Sequence, residues 1–264
     1  MDAEAAAFSH PVAAAPPDDL VHASPGALRG EATLTINTRQ AQRLFLGRPV
    51  KTHDGRQVHP GVIGVRRFAT LVRQVIVGAR ADDPYADLCL IQLDHEFKAA
   101  SSRLAEMRQH TERRLTVRPA VDVAIAVSID PIVVPLRFHN QYAYRAAYLV
   151  ADYDQLAAAV LSAHHGALMA RPECEKLLNR GRRLARRVFS VPLRYRFSGA
   201  SRQDVLQMTA RGGAALEKFG PVPESILGRT QVPDYGTIRL SDGSPIITVD
   251  SKPDPEDPAD ATPG

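Results

Sequence analysis

A long helix with a heptad spacing of apolar residues is the feature that most constrains the fold of this 264-residue chain. Asp82 or Asp83 can cap its start, Pro84 suits its first turn, and the helix is predicted to run to about Leu115. Its apolar positions alternate steps of three and four: Leu90, Leu93, Phe97, Ala100, Leu104, Met107 and Thr111. Such a seam packs lengthwise against another helix, either in the same chain or in a second protomer.

Shorter helices are predicted before the long one. Thr38 can cap a helix over residues 39–46, and Gly47 can close it, because glycine tolerates the left-handed conformation common at helix ends. Apolar residues at helical spacing predict another helix over residues 65–77, which Gly78 stops.

Further helices are predicted in the second half of the chain. Residues 142–169 form either one long helix or two, since Asp152 or Asp154 could cap a second one. Residues 173–189 are helical and basic, and the segment SGASRQD opens another helix through a capping box.

Three segments alternate polar and apolar residues as β-strands do: 31–37, 121–129 and 132–138. Pro135 restricts the third to an edge strand or a two-stranded ribbon, because proline lacks the N–H that a central strand donates. Residues 48–62 contain several prolines and glycines and are predicted to form a loop. The expected fold class is therefore α+β and mostly helical, with short strands packed with long helices.

Charge divides the chain into a basic body and two acidic tails. Residues 1–28 and 250–264 each carry a net charge of −4, so the +4 of the whole chain leaves +12 on the segment between them. The tails have few large apolar residues and cannot bury enough surface to offset chain entropy, which predicts disorder. The expected organisation is a tail over 1–28, a helical body over 29–235, a β-hairpin over 236–249 and a tail over 250–264.

Composition and motifs exclude several function classes. Two cysteines indicate a reducing compartment, no apolar run approaches the ~20 residues of a membrane span, and the N-terminus lacks the basic region of a signal peptide. No phosphate-loop or nucleophile motif is present, and His164 and His165 point about 100° apart on a helix, which disfavours a shared metal ion. We therefore expect a cytoplasmic protein without membrane contact, catalytic residues, metal or cofactor.

The basic body predicts an anionic partner, and nucleic acid is the commonest one. An arginine-rich amphipathic helix suits phosphate contacts with double-stranded DNA, whereas the alternative is a solvated face that pairs with nearby acids. The candidate phosphate contacts on this helix and just after it are Arg180, Arg183, Arg187, Arg194 and Arg196.

The outward face of a strand is a candidate for reading bases in the major groove. In the first strand the residues suited to base contacts are Thr33, Thr35, Asn37 and Arg39. One strand cannot form a ribbon alone, so this interpretation requires a homodimer, and the alternative is an ordinary strand of the core sheet. The rival ribbon strand is 132–138, with Arg137 and His139 outward, because the strand, helix, turn and helix from there have the spacing of a ribbon-helix-helix element.

Six separated segments also carry a family resemblance: LRGEATLTINTRQAQRLFLGR, GVIGVRRFATLV, ARADDPYADL, AYLVADYDQLAAAVLSAHHGALM, RYRFSGASRQD and ALEKFG. In this order, over residues 28–235, they resemble the integrating conjugative element proteins of the AcaB-like transcriptional regulator family. The resemblance implies a DNA-binding regulator with a ribbon-helix-helix core, encoded on a bacterial mobile genetic element and controlling conjugative transfer genes. The alternative is a non-enzymatic accessory protein of conjugative transfer or element maintenance.

Overall fold

Helices dominate the computed structural model, which describes residues 32–53, 56–59, 61–116 and 123–235. The elements in chain order are β1 (Ala32–Ile36), α1 (Arg39–Leu46), β2 (Lys51–His53), β3 (Arg56–His59), α2 (Val65–Arg80), α3 (Pro84–Leu115), β4 (Ile132–Leu136), α4 (Gln141–His165), α5 (Arg171–Ser190), a short 3-10 helix (Val191–Arg194), α6 (Arg202–Leu206), α7 (Ala210–Phe219) and α8 (Glu224–Leu227). The fold is α+β and mostly helical, as predicted. The expected tails over 1–28 and 250–264 and the hairpin over 236–249 lie outside the described residues.

Helix α4 forms the centre of the core. It packs against α1, α2, α3 and α5, and both Tyr142 and Tyr153 on it are fully buried. Its many alanines let the neighbouring helices approach closely. The helix is continuous from Gln141 to His165, so Asp152 and Asp154 cap no second helix.

The heptad seam of α3 is internal to the chain. All seven of its members are buried, and α3 packs lengthwise on α4. Asp83 caps α3 by accepting a hydrogen bond from the N–H of Tyr85 at 3.0 Å, with Pro84 in the first turn as predicted. The helix that packs on the seam therefore belongs to the same chain.

Gly78 lies inside α2 and does not stop it. The helix continues to Arg80, and a Cβ atom at position 78 would lie only 1.9 Å from the hydroxyl oxygen of Tyr195. The prediction that Gly78 ends the helix was therefore wrong. Glycine is required here for the close approach of a tyrosine to the helix backbone.

The two candidate ribbon strands pair with each other. Strands β1 and β4 form a two-stranded antiparallel sheet in which Thr33 faces Pro135 and Thr35 faces Val133. The prediction that a ribbon requires a homodimer was wrong, because the second strand comes from the same chain. The restriction of the proline-containing strand to a two-stranded ribbon is confirmed.

Two loop and strand predictions need correction. Residues 123–129 of the predicted strand 121–129 have no regular secondary structure, and residues 121–122 lie outside the described part. The predicted loop over 48–62 instead contains the β2–β3 hairpin.

The segment after α5 forms a second, smaller core. Helices α6, α7 and α8 contribute apolar side chains that pack on Tyr85 and Ile91 of α3. Ser201 and Asp204 make the predicted capping box at the start of α6. Arg202 is buried and forms ion pairs with Asp82, in the turn before α3, and with Asp87 of α3, which join this region to the larger core. Over the ranges that the structure describes, no helix has both the length and the apolar character needed to cross a membrane.

Candidate nucleic-acid interface

The β1–β4 ribbon has one buried face and one exposed face. Thr33 and Thr35 are exposed, and so are the residues opposite them on β4, Pro135 and Val133. The opposite face packs on the core through Leu34, Ile36 and Leu136. The core therefore sets the orientation of the ribbon, and two threonine side chains project from it into solvent.

Asn37 is held in place by a buried acid. Its backbone N–H and its side-chain amide both donate to Oδ2 of Asp154, at 2.8 and 3.1 Å, and its own side-chain oxygen accepts from the N–H of Ser128 at 3.3 Å. These bonds join the end of β1 to α4 and to the segment before β4. The geometry therefore gives Asn37 a structural role, in contrast to the base contact expected from its position in the strand pattern.

Three polar residues flank the ribbon at its two ends. Arg39 begins α1 just beyond the end of β1, whereas Arg137 and His139 follow β4 at the opposite end because the strands are antiparallel. All three are exposed, and none of their side chains has a hydrogen bond or ion pair with the described residues. The ribbon thus presents two threonines in the middle and cationic or titratable groups at each end.

The outer face of α5 carries a row of arginines at helical spacing. Arg180, Arg183 and Arg187 are exposed and lie three and four residues apart, so they share one face. Arg187 donates to Oε1 of Glu96 on α3 from Nε at 3.0 Å and from Nη2 at 2.6 Å. Arg180 and Arg183 pair with nothing in the described ranges, which leaves both guanidinium groups available to an anion.

Arg194 and Arg196 continue the basic surface beyond α5. Arg194 ends the 3-10 helix and is exposed, with no partner in the part of the chain that the structure describes. Arg196 is also exposed, but its Nη1 donates to the carbonyl oxygens of Leu193 and Tyr195 at 2.9 and 2.8 Å. The five candidate phosphate contacts therefore separate into three residues that have no partner within the described ranges and two that already bind protein atoms.

The sequence pattern alone did not identify an exposed apolar surface that lies next to the ribbon. We call it the apolar strip, and it consists of Ile125, Val127, Ile129 and Ile132. Ile129 is fully exposed and Val127 is 78% exposed. The signal was present in the alternation of β-branched residues over 121–129, but alternation alone does not say whether the apolar side packs on the core of the same chain.

Other polar residues show little sign of chemistry. His164 and His165 are exposed, and Nδ1 of His164 lies 3.0 Å from the carbonyl oxygen of Met169. Cys89 and Cys174 are buried, and burial raises the pKa of Cys89 to about 12, which keeps it a neutral thiol. Within the described ranges no cluster of histidine, cysteine and acidic side chains is large enough to hold a metal ion.

Comparison with known proteins agrees with the resemblance carried by the six segments. A family model described as transcriptional regulator AcaB matches residues 24–239. The crystal structure of selenomethionine-containing AcaB from uropathogenic E. coli superimposes with a TM-score of 0.49 and 12% sequence identity, covering 76% of this chain and 95% of that one. No curated protein sequence matches at a significant level. Because the family model spans well over half of the chain, the chain belongs to the AcaB family of transcriptional regulators.

Proposed function

We propose that this regulator binds double-stranded DNA by placing the β1–β4 ribbon in the major groove. The observation that most directly supports this proposal is the intrachain ribbon itself, whose exposed face presents Thr33 and Thr35. The major groove admits a two-stranded ribbon, and threonine hydroxyl and methyl groups contact base edges there. Arg39 at one end and Arg137 and His139 at the other are positioned to hold the flanking backbone.

Arginines on and after α5 supply sequence-independent affinity in this proposal. Arg180, Arg183 and Arg194 are the principal phosphate contacts, because each is exposed and has no partner among the described residues. Arg187 and Arg196 are secondary contacts, since each would have to give up a hydrogen bond to protein. Contacts of this kind release counterions and make affinity fall steeply with salt.

We further propose a homodimer in which the apolar strip of one copy packs against that of the other. An exposed run of β-branched side chains is unfavourable in water, and a two-fold contact between identical strips would cover both. In this proposal β4, α4 and α5 correspond to the strand, helix, turn and helix of a ribbon-helix-helix element, and their order along the chain is compatible with it. Two copies would then read two half-sites of one operator.

The family resemblance supports the cellular role. We infer a cytoplasmic regulator, encoded on an integrating conjugative element, that controls transfer genes. A second candidate is the accessory protein of conjugative transfer or element maintenance, with no catalytic step. The observation that favours it is the same apolar strip, which could bind a different protein instead of a second copy.

The test is to cross-link the protein to DNA in cells, sequence the recovered fragments and measure binding to the enriched site and to random duplex at one salt concentration. A regulator should bind its site roughly 10³-fold or more tightly than random DNA. Equal affinity for both duplexes would contradict sequence-specific regulation and favour the accessory role. If the protein binds no DNA, both the proposed ribbon contacts and the proposed arginine contacts with DNA are wrong.

A further inference from the structure

A cavity of about 340 Å³ opens to solvent between α3 and α4. Asp152 of α4 lines one side of it. The other side is a face of α3 that carries Ser101, Ser102, Leu104, Ala105 and Arg108. The serine and alanine side chains are small, so they leave space that larger side chains at these positions would fill. The volume lies at the lower end of the range found for small-molecule sites, which limits the ligand to a small one.

Side-chain hydrogen bonds join the two helices on either side of the cavity. The hydroxyl of Ser101 donates to Oδ2 of Asp152 at 3.1 Å, and Nη1 of Arg108 donates to the side-chain oxygen of Gln155. Ser101 and Arg108 are seven residues apart, which is roughly 10 Å along a helix, and Ala105 lies between them. The helices are therefore connected at both ends of a gap that the methyl group of Ala105 does not close.

The carboxylate of Asp152 has fewer hydrogen-bond donors than its charge favours. The residue is half-buried, and its Oδ1 accepts no hydrogen bond from the described residues. Burial raises the pKa of Asp152, and the hydrogen bond from Ser101 and the positive charge of Arg108 offset this only in part. A cationic N–H donor placed in the cavity would stabilise the ionised carboxylate.

Arg108 lines the same cavity and also has hydrogen-bonding capacity left. Its Nε lies 3.5 Å from Oε1 of Glu112 without making a hydrogen bond, and its Nη2 donates no hydrogen bond to the described residues. Within the described contacts Asp152 and Arg108 form no ion pair with each other. The cavity therefore holds a negative and a positive group that are kept apart.

The opposite charges of these two side chains restrict which ligands fit. A simple cation would meet the positive charge of Arg108, and a simple anion would meet the negative charge of Asp152. A molecule that carries both charges satisfies both side chains, because an ammonium group donates to a carboxylate and a carboxylate accepts from a guanidinium group.

We propose that this cavity binds a small zwitterion of the amino acid class, with its ammonium group on Asp152 and its carboxylate group on Arg108. Ser102 is exposed at the cavity and its hydroxyl makes no hydrogen bond with the described residues, so it is a further donor or acceptor for the ligand. The site adds small-molecule binding to the DNA contacts proposed above, and none of its residues is among those contacts.

The first experiment measures thermal unfolding of the full chain with each of the twenty common amino acids at millimolar concentration. At least one of them should raise the Tm of the wild-type protein by roughly 2 °C or more, because a ligand that binds only the folded state stabilises it. The general effect of amino acids on protein stability requires far higher concentrations, so it does not contribute at this level.

Variants assign the rise to the cavity. Asp152→Asn and Arg108→Gln should each lose most of it, because each removes one of the two charges that the ligand meets. Arg113→Gln and Asp130→Asn remove exposed charges elsewhere and should retain it. The rise is measured from the Tm of each variant without ligand, and circular dichroism checks that each variant is folded.

Blocked derivatives of the most stabilising amino acid test the two ends of the ligand separately. By calorimetric titration, the N-acetylated form and the carboxamide form should each bind at least about tenfold more weakly than the parent compound, since each lacks one charge. The proposal is overturned if no amino acid raises the Tm, if Asp152→Asn or Arg108→Gln retains the rise, or if a blocked derivative binds as tightly as the parent. None of these measurements involves DNA, so their outcome is independent of the proposed DNA contacts.

Discussion

Asp154 accepts two hydrogen bonds from Thr38, one from its backbone N–H at 2.8 Å and one from its hydroxyl at 2.6 Å. The same hydroxyl oxygen accepts the N–H of Ala41 at 3.2 Å and so caps α1. With its other oxygen Asp154 binds Asn37. One buried carboxylate of α4 therefore sets the point at which β1 ends and α1 begins.

Asp154→Asn should destabilise the protein by on the order of 3 kcal/mol. The amide nitrogen would face N–H donors where an oxygen now accepts, which leaves buried donors unsatisfied. Urea unfolding at pH 7 measures the loss. Asn37→Ala should likewise lower stability, and an unchanged unfolding midpoint in both variants would contradict the structural role assigned to this contact.

Asp152→Asn, two residues earlier on the same helix, should instead stabilise the protein at pH 7. Burial raises the pKa of Asp152 despite the hydrogen bond from Ser101 and the charge of Arg108, so its ionised form is less favourable in the folded protein than in the unfolded chain. A raised folded pKa means that stability is lost as the pH rises through it. The variant should therefore match the wild type in acid below the unfolded pKa and exceed it at pH 7. Unfolding free energies measured from pH 3 to 7 test this, and a wild type that gains on the variant with rising pH would refute it.

Leu93→Asp combined with Leu104→Asp should unfold the chain. Both leucines are fully buried between helices of one protomer, and two uncompensated charges there should cost more than about 5 kcal/mol. Circular dichroism should show the loss of helix. Gln92→Asp with Gln109→Asp, on the exposed side of α3, should remain folded. A folded monomer of the leucine variant would instead indicate an intermolecular seam.

Val127→Asp combined with Ile129→Asp should dissociate the proposed dimer into folded monomers. Both side chains are exposed in a single chain, so the charges are hydrated in the monomer and buried only where two strips meet. Sedimentation at micromolar concentration should show a dimer for the wild type and a monomer for the variant, with the same circular dichroism. A monodisperse wild-type monomer would refute the dimer.

Changes in the ribbon and in the arginine row should affect DNA binding differently. Thr33→Ala or Thr35→Ala should cost about 1–3 kcal/mol on the preferred site and little on random DNA, with the salt slope nearly unchanged. Arg180→Ala with Arg183→Ala should weaken binding to all sequences and reduce the salt slope by roughly one unit per lost contact. The reason is that base readout depends on matched donors and acceptors, whereas counterion release depends on charge.

The outcome of this comparison locates the interface. If Arg137→Ala removes specificity and the threonine variants do not, the end of the ribbon after β4 reads the bases. If none of these changes alters DNA binding, the ribbon is not the interface and the accessory role gains support.

Local signals in the sequence predicted the helices well. The start and end of α1 at Thr38 and Gly47 follow from capping, which depends only on near neighbours in the chain. The heptad spacing predicted a buried seam on α3, although spacing alone left its partner open between the same chain and a second one. The role of Gly78 was predicted wrongly because glycine occurs both at helix ends and where another side chain packs closely against the helix backbone.

The candidate site was harder to predict, because its geometry depends on contacts between distant segments. The exposure of Thr33 and Thr35 followed from strand alternation, but the pairing of β1 with β4 did not. The polarity of Asn37 suggested a DNA contact, and only the position of Asp154 shows that the side chain is engaged within the protein.

The long separation between β1 and β4 also bears on how the protein is made. Ile36 pairs with Ile132, so β1 leaves the ribosome well before its partner, and at typical rates of protein synthesis the interval is on the order of 5–20 s. During that time β1 exposes an unpaired edge while α1, α2 and α3 are already available to fold. The ribbon is consequently assembled late in synthesis, and a nascent chain that stops before β4 lacks the paired strands that we propose bind DNA.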